Sequence, residues 1–312
     1  MKRVILIVFD SVRQDHLSCY GYGRKTTPNI DKLVEESGSI FDAKVADSLL
    51  PGTAYSMYSI LSGQTEIKPV KSVCPPLNVE RKMIQQKAIP SLFGSNHILL
   101  FSGLKWDGGW NYKFLMERYP PLRVPAQHIV DWFWFVEREY ESDYPLERPH
   151  FSMLWLNDTH SPYVPDDSWK DFIDDNMPIV NIMGDVRLYD PNLLKESGGA
   201  PDFKKHMAYY DAAIHNLDNV IAPILQLKDE ETLIIVCSDH GDWLGEYGHW
   251  FTHGMNLLES EVTLAVSLLR PVFLVMSQPS TYKTATLLDI APTIATWLSI
   301  EPELFWEGKS LL

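Results

Sequence analysis

Three stretches of this 312-residue chain end an apolar run on residues that bind metal ions. "RVILIVFD" ends on Asp10, "FSMLWLNDTH" carries Asp158 and His160, and "TLIIVCSDHGDW" carries Asp239 and His240. Each run is short and apolar, rich in β-branched or aromatic residues, as a strand buried on both faces requires. In a parallel α/β sheet, ligands bind beyond the carboxyl ends of the strands, so these side chains are expected to meet at one edge of the sheet. One Asp after a strand is commonly a turn former or helix cap. Carboxylates and imidazoles at three strand ends together point instead to a divalent cation, because hard oxygen and imidazole donors suit Zn²⁺, Mn²⁺ and similar ions. Residue types alone do not separate Mn, Zn, Ca and Mg.

A metal needs something to activate. The stretch "LPGTAYSMYSILSG" (residues 50–63) holds one threonine, three serines and two tyrosines. Pro51 and Gly52 break the chain, an apolar-studded run follows, and Gly63 stops it, so the spacing predicts a loop running into a helix. Thr53 begins that helix, where backbone N–H groups and the helix dipole favour an anion. Beside a divalent cation its hydroxyl becomes acidic enough to act as an alkoxide nucleophile. The competing role is a helix cap. Ser56 and Ser59 fall deeper in the helix, at packing positions.

The elements that would position these residues alternate. Further strands are read at 97–102 and 272–276, and all five runs are expected to be parallel. Helices are read from Pro28 to the stop at Gly38 and over 127–142, 203–227 and 284–299, with Pro292 bending or breaking the last. This alternation predicts an α/β fold with a doubly wound, mostly parallel sheet flanked by helices. One domain over 1–312 is expected, with about 255–312 as a closing C-terminal segment. Segments 64–90 and 164–202 read as long loops, which in such a fold are usually functional.

The balance of 41 Asp+Glu against 27 Lys+Arg gives a formal net charge of -14. Phosphate backbones and anionic membranes are repelled on average, which argues against both as general partners while a local basic pocket for one anion stays open. Cys19, Cys74 and Cys237 are scattered without metal spacing and read as reduced thiols. The apolar run of "MKRVILIVFD" is short and ends in Asp10 with no small-residue cleavage site, so a buried first strand and a cytoplasmic location are expected.

These residues together resemble the sulfatase family of the alkaline phosphatase superfamily. "ILIVFDSVRQDHLSCYGYGRKTTPNIDKL" is similar to the family's opening, in which an Asp after the first strand binds metal. "YSILSG" resembles its Ser-Leu-Leu-Thr-Gly stretch, and ten residues back from Gly63 is the family's nucleophile position, here Thr53. "NDTHSPYVP" resembles the segment that brings His160 into the active site. "LIIVCSDHGDWLGEYGHWFTHG" resembles the segment with Asp239 and His240 as ligands and His253 in the pocket. "LKWDGGW" resembles Gly-Lys-Trp-His-Leu-Gly, which would put Lys105 near the substrate anion, although Asp107 stands where that pattern has histidine. "TATLLDIAPTIATWLSIEPELFWEGKSLL" resembles the closing segment.

The departures shape the expected chemistry. Sulfatases of the usual kind carry Cys or Ser in Cys/Ser-x-Pro-x-Arg and oxidise it to formylglycine. Here the stretch is "TAYSM", so Thr53 would give a ketone, and Tyr55 and Met57 replace the Pro and Arg. A threonine nucleophile resembles the superfamily's phosphodiesterases and phosphoethanolamine or phosphoglycerol transferases, which pass through phospho-threonine. Ser11 stands where many sulfatases carry a second Asp. The resemblance therefore implies a metal held by Asp10, Thr53, Asp239 and His240, with one ion favoured over two. His160 and His253 then serve as acid or hydrogen-bond donor. In the alternative they bind a second ion with Asp158. The expected activity is hydrolysis of a small anionic ester, a phosphate mono- or diester before a sulfate ester. A phosphoryl transferase and a catalytically silent anion- or metal-binding protein are the other readings. Selectivity is expected in 64–90, 104–125 and 164–202.

Overall fold

The computed structural model describes residues 2–36, 38–47, 51–65, 98–102, 125–141, 151–160, 163, 167–172, 203–244, 253 and 268–312. Seven strands among these form one sheet: β1 (Arg3–Phe9), β2 (Ser39–Lys44), β3 (Ile98–Ser102), β4 (Phe151–Leu156), β5 (Thr232–Ser238), β6 (Pro271–Met276) and β7 (Thr284–Thr286). Their order is β3-β4-β1-β5-β6-β2-β7. The β3–β4, β4–β1, β1–β5 and β2–β7 pairs are parallel. The run at 272–276 was expected to be parallel, but β6 is antiparallel to both β5 and β2. Periodicity reports that a strand is buried, not which way it runs.

β1 lies inside the sheet and reads as an unbroken apolar run because each face of it meets a different core. Val4, Leu6 and Val8 pack with Met57, Tyr58, Ile60, Leu61, Ile290 and Ile294. Ile5, Ile7 and Phe9 pack with Ile30, Phe133, Tyr210, Ile214 and Ile221. The first face is covered by α2 (Thr53–Ser62) and α5 (Ile290–Trp297), the second by α1 (Pro28–Glu36), α3 (Ala126–Glu141) and α4 (Phe203–Leu225). Helices on both faces of a mostly parallel sheet make the doubly wound α/β fold that the alternating pattern predicts.

Two parts of the sequence reading shift. Residues 39–44, not read as an element, form β2, whose burial alternates only partly. The segment 284–299, expected to be one helix, begins as β7, passes through a 3-10 turn at Leu287–Asp289, and becomes helical only at Ile290. Asp289 stops the strand by accepting the Thr286 N–H at 2.7 Å. Pro292 then falls in the first turn of α5, where its missing N–H costs nothing. Gly63 ends α2 in the left-handed conformation, φ 62°, and Trp306 packs so close that a Cβ there would sit 3.0 Å from its ring.

Candidate active site

β1, β4 and β5 run side by side in the same direction, so their carboxyl ends open at one place. Asp10 follows β1 and is fully buried. Its Oδ1 accepts the Ser11 hydroxyl at 2.9 Å, and its Oδ2 accepts the Asn157 side-chain amide at 2.7 Å. The Thr159 hydroxyl donates to its carbonyl at 2.6 Å. Asp239 follows β5. Its Oδ1 accepts the backbone N–H of Ser11 at 3.0 Å and of His240 at 2.8 Å, while its buried Oδ2 has no hydrogen-bond partner.

The His240 imidazole completes the cluster. Its Nδ1 lies 2.8 Å from the Gly241 carbonyl, which can only accept, so Nδ1 carries the proton. Burial holds His240 below the ordinary histidine value, so Nε2 gives up its proton more readily than in a free histidine. That nitrogen sits 3.5 Å from Asp239 Oδ2 and 3.8 Å from Asp10 Oδ1. One donor atom from each of Asp10, Asp239 and His240 lies within 4.8 Å of the others.

The two carboxylates share one small volume and respond oppositely. Burial, then the charge of Asp10, raises Asp239 well above the ordinary carboxylate range. Burial also pushes Asp10 up, but His160, His240, His253 and the Ser11 hydroxyl outweigh it and hold it below that range. Two buried carboxyl groups, one with an orphaned oxygen, whose oxygens lie 3.5 and 3.8 Å from one imidazole nitrogen, are costly to ionise together without a positive partner. This donor set fits a divalent cation. The Nδ1–H bond to a backbone carbonyl is the contact that fixes the tautomer of a metal-binding histidine.

Thr53 is the first residue of α2, and Gly52 rather than Thr53 is its N-cap. The Thr53 side chain is therefore not spent on capping. Its Oγ1 lies 3.0 Å from His240 Nε2, at the edge of the cluster. Ser56 and Ser59 are fully buried inside the helix, and the Ser59 hydroxyl donates back to the Tyr55 carbonyl at 3.1 Å. The His253 ring lies against His240 with centroids 4.2 Å apart, and His160 meets His253 edge-on at 5.4 Å. Thus Asp10, Thr53, Asp239, His240, His160 and His253 converge. Lys105 lies outside the described residues, as do Trp106 and most of the three segments expected to set selectivity.

Asp158 goes elsewhere. Both its oxygens accept the Ala126 N–H, at 3.1 and 3.2 Å, so it caps α3. Its neighbours Asn157 and Thr159 reach Asp10 instead, the amide at Oδ2 and the hydroxyl at the carbonyl, from the turn that follows β4. Sequence reasoning passed over both, and the "NDT" segment was the signal for them. It also passed over Asp242, whose Oδ1 lies 3.5 Å from His253 Nδ1.

The family model described as Sulfatase matches residues 2–300. The chain belongs to the sulfatase family. A curated choline-sulfatase of Rhizobium meliloti (strain 1021) is 34% identical over 111 residues, which are 34% of this chain and 20% of that protein. The chain thus matches about a fifth of that relative's length. Two solved structures share the family fold. One is the phosphonate monoester hydrolase of Silicibacter pomeroyi, with TM-score 0.63, 16% identity, and 100% of this chain and 76% of that chain covered. The other is the C-terminal periplasmic domain of a phosphoethanolamine transferase of Campylobacter jejuni, with TM-score 0.61, 17% identity, and 97% and 91% covered. Among the described residues of this sulfatase-family chain, no helix is long and apolar enough to cross a membrane.

Proposed function

We propose that this protein is a divalent-metal-dependent hydrolase that cleaves a small anionic ester through a covalent Thr53 intermediate, with phosphate mono- and diesters as its preferred class. The observation that carries this reading is the 3.0 Å contact between Thr53 Oγ1 and His240 Nε2, at a helix start and beside the buried Asp10–Asp239 pair. Asp10, Asp239, His240 and Thr53 would hold the ion. Bound there, it would supply the positive charge that makes the Thr53 hydroxyl acidic and that an anionic ester requires among these carboxylates.

The chain's own residues do the rest. Thr53 Oγ1, its proton released to solvent, forms a bond to phosphorus as the bond to the leaving oxygen breaks on the opposite side. The first N–H groups of α2 face the equatorial oxygens, and Lys105 is assigned to the same charge. His160 or His253 donates a proton to the departing oxygen. Water then cleaves the phospho-threonine and regenerates the hydroxyl. One ion is favoured over two, in keeping with both Asp158 oxygens accepting the Ala126 N–H at the start of α3.

A sulfate ester is the second reading, carried by the match to a choline-sulfatase. Against it stands a threonine at the nucleophile position, which cannot become an aldehyde. The likeness to a phosphoethanolamine transferase domain extends the proposal to a phosphoryl acceptor other than water. We further assign residues 1–312 to one catalytic domain. We place the protein in the cytoplasm, in keeping with Cys19 and Cys237 as free thiols. Fractionation of cells expressing the chain tests the location.

The function is tested by assaying aryl phosphate monoesters, diesters and sulfate esters with Mn²⁺ or Zn²⁺, followed by acid trapping and mass spectrometry. The expected result is turnover of a phosphate ester with an adduct of phosphoryl mass on Thr53. Turnover of the sulfate ester alone, or an adduct on another residue, overturns it.

A further inference from the structure

We infer that Ser11, held in a left-handed turn by Tyr210, is a positioning residue that orients both metal-binding carboxylates and sets the affinity of the centre for its ion. The inference rests on the metal-dependent reading above.

Ser11 has φ 62°, a region that residues with a Cβ seldom occupy. Such a conformation persists only where its surroundings enforce it, and it tends to mark functional turns. Its polar groups show what it does there. The N–H of Ser11 donates to Asp239 Oδ1 at 3.0 Å, and its hydroxyl donates to Asp10 Oδ1 at 2.9 Å. One residue therefore holds one oxygen of each carboxylate. With Oδ1 fixed, Asp239 is left presenting Oδ2, the unpartnered atom 3.5 Å from His240 Nε2. The positive φ turns the Ser11 side chain so that its hydroxyl reaches Asp10 while its N–H stays on Asp239.

Tyr210 of α4 enforces the turn from the other side. Its buried hydroxyl donates to the Ser11 carbonyl at 2.8 Å and accepts the Arg13 N–H at 2.9 Å, so one phenol clamps both sides of the turn. The next residue of α4 fixes the clamp to the loop that follows. Asp211 accepts His16 Nδ1 at 2.8 Å and the Tyr22 hydroxyl at 2.9 Å, and pairs with Arg24. Outer contacts of this kind typically change metal affinity by 10- to 100-fold when lost.

The test measures ion affinity and stability separately. Ion-free wild type, Ser11→Gly and Tyr210→Phe are titrated with Zn²⁺ and with Mn²⁺ against a competing chelator, and their ion-free unfolding midpoints are compared. Ser11→Gly accepts φ 62° without strain but lacks the hydroxyl that holds Asp10 Oδ1. Its unfolding midpoint should equal or exceed that of wild type while its affinity falls about 10- to 100-fold. Tyr210→Phe should lose affinity in the same range. If Tyr210→Phe does not fold, Ser11→Gly alone decides. Wild-type affinity in Ser11→Gly overturns the inference and leaves the proposed function standing. A wild type that takes up neither ion overturns both.

Discussion

The side-chain oxygen of Thr53 lies 3.0 Å from Nε2 of His240, although the two residues are 187 positions apart. The helix start brings a hydroxyl, the end of β5 brings an imidazole, and Gly52 leaves that hydroxyl free of capping duty. Thr53 is thus singled out among the hydroxyls of residues 53–62. Thr53→Ala should lower kcat by about 10³-fold or more, since the attacking oxygen is gone. Thr53→Ser should keep a measurable fraction of activity because the oxygen survives. Ser56→Ala and Ser59→Ala should change turnover less than about threefold, as both side chains are fully buried. Steady-state kinetics on a phosphate ester checks this, and near-normal turnover in Thr53→Ala rules out the covalent step.

The metal site makes a prediction independent of turnover. Asp239→Asn and His240→Ala should each strip the ion from otherwise folded protein, with circular dichroism unchanged. Elemental analysis after gel filtration reads the result. Full ion content in both variants would mean that the Asp10–Asp239–His240 cluster is not the site.

His160 and His253 are placed beside the cluster by ring contacts of 5.4 and 4.2 Å. Their replacement by Ala should leave one ion per chain while kcat falls by roughly the 10²–10⁴ attributable to a lost general acid. A drop from two ions to one in either variant would favour the two-metal alternative.

Asp158 belongs to the scaffold. Asp158→Ala removes the acceptor of the Ala126 N–H and should cost about 1–2 kcal/mol of unfolding free energy, the worth of a helix cap. Ion content should stay at the wild-type value. Denaturant unfolding and elemental analysis together test it, and ion loss would return Asp158 to the metal site.

His206 on α4 should make the fold acid-sensitive. Burial pushes its pKa down to about 3, whereas the unfolded chain takes up that proton near 6.5. Between those values the unfolded state binds more protons, so stability falls as pH falls from about 6.5 toward 3. Asp218, raised to about 6 by burial, opposes this over part of the window. Denaturant unfolding at pH 7 and pH 5 should show wild type losing about 1–2 kcal/mol more than His206→Phe. Equal losses in the two proteins would exclude His206 as the source.

The sequence by itself determined the two-faced sheet and which residues gather at its rim. The strands within runs 3–9, 151–157 and 232–238 are buried throughout and largely apolar because each is covered on both sides. Asp10, Asp239 and His240 were legible because they follow those runs immediately, where side chains emerge at the sheet edge. Tertiary structure alone decided how β6 runs, since direction is set by the connection and leaves no mark on periodicity. It also separated Asp158 from Asn157 and Thr159, because which side chain faces Asp10 depends on where the chain turns after β4. Ser11 and Tyr210 are the clearest case. A serine after Asp10 reads as an absent ligand, and a tyrosine on a long helix reads as core. Only the fold places them 2.8 Å apart across 199 residues, where one hydroxyl holds the turn that aims both carboxylates.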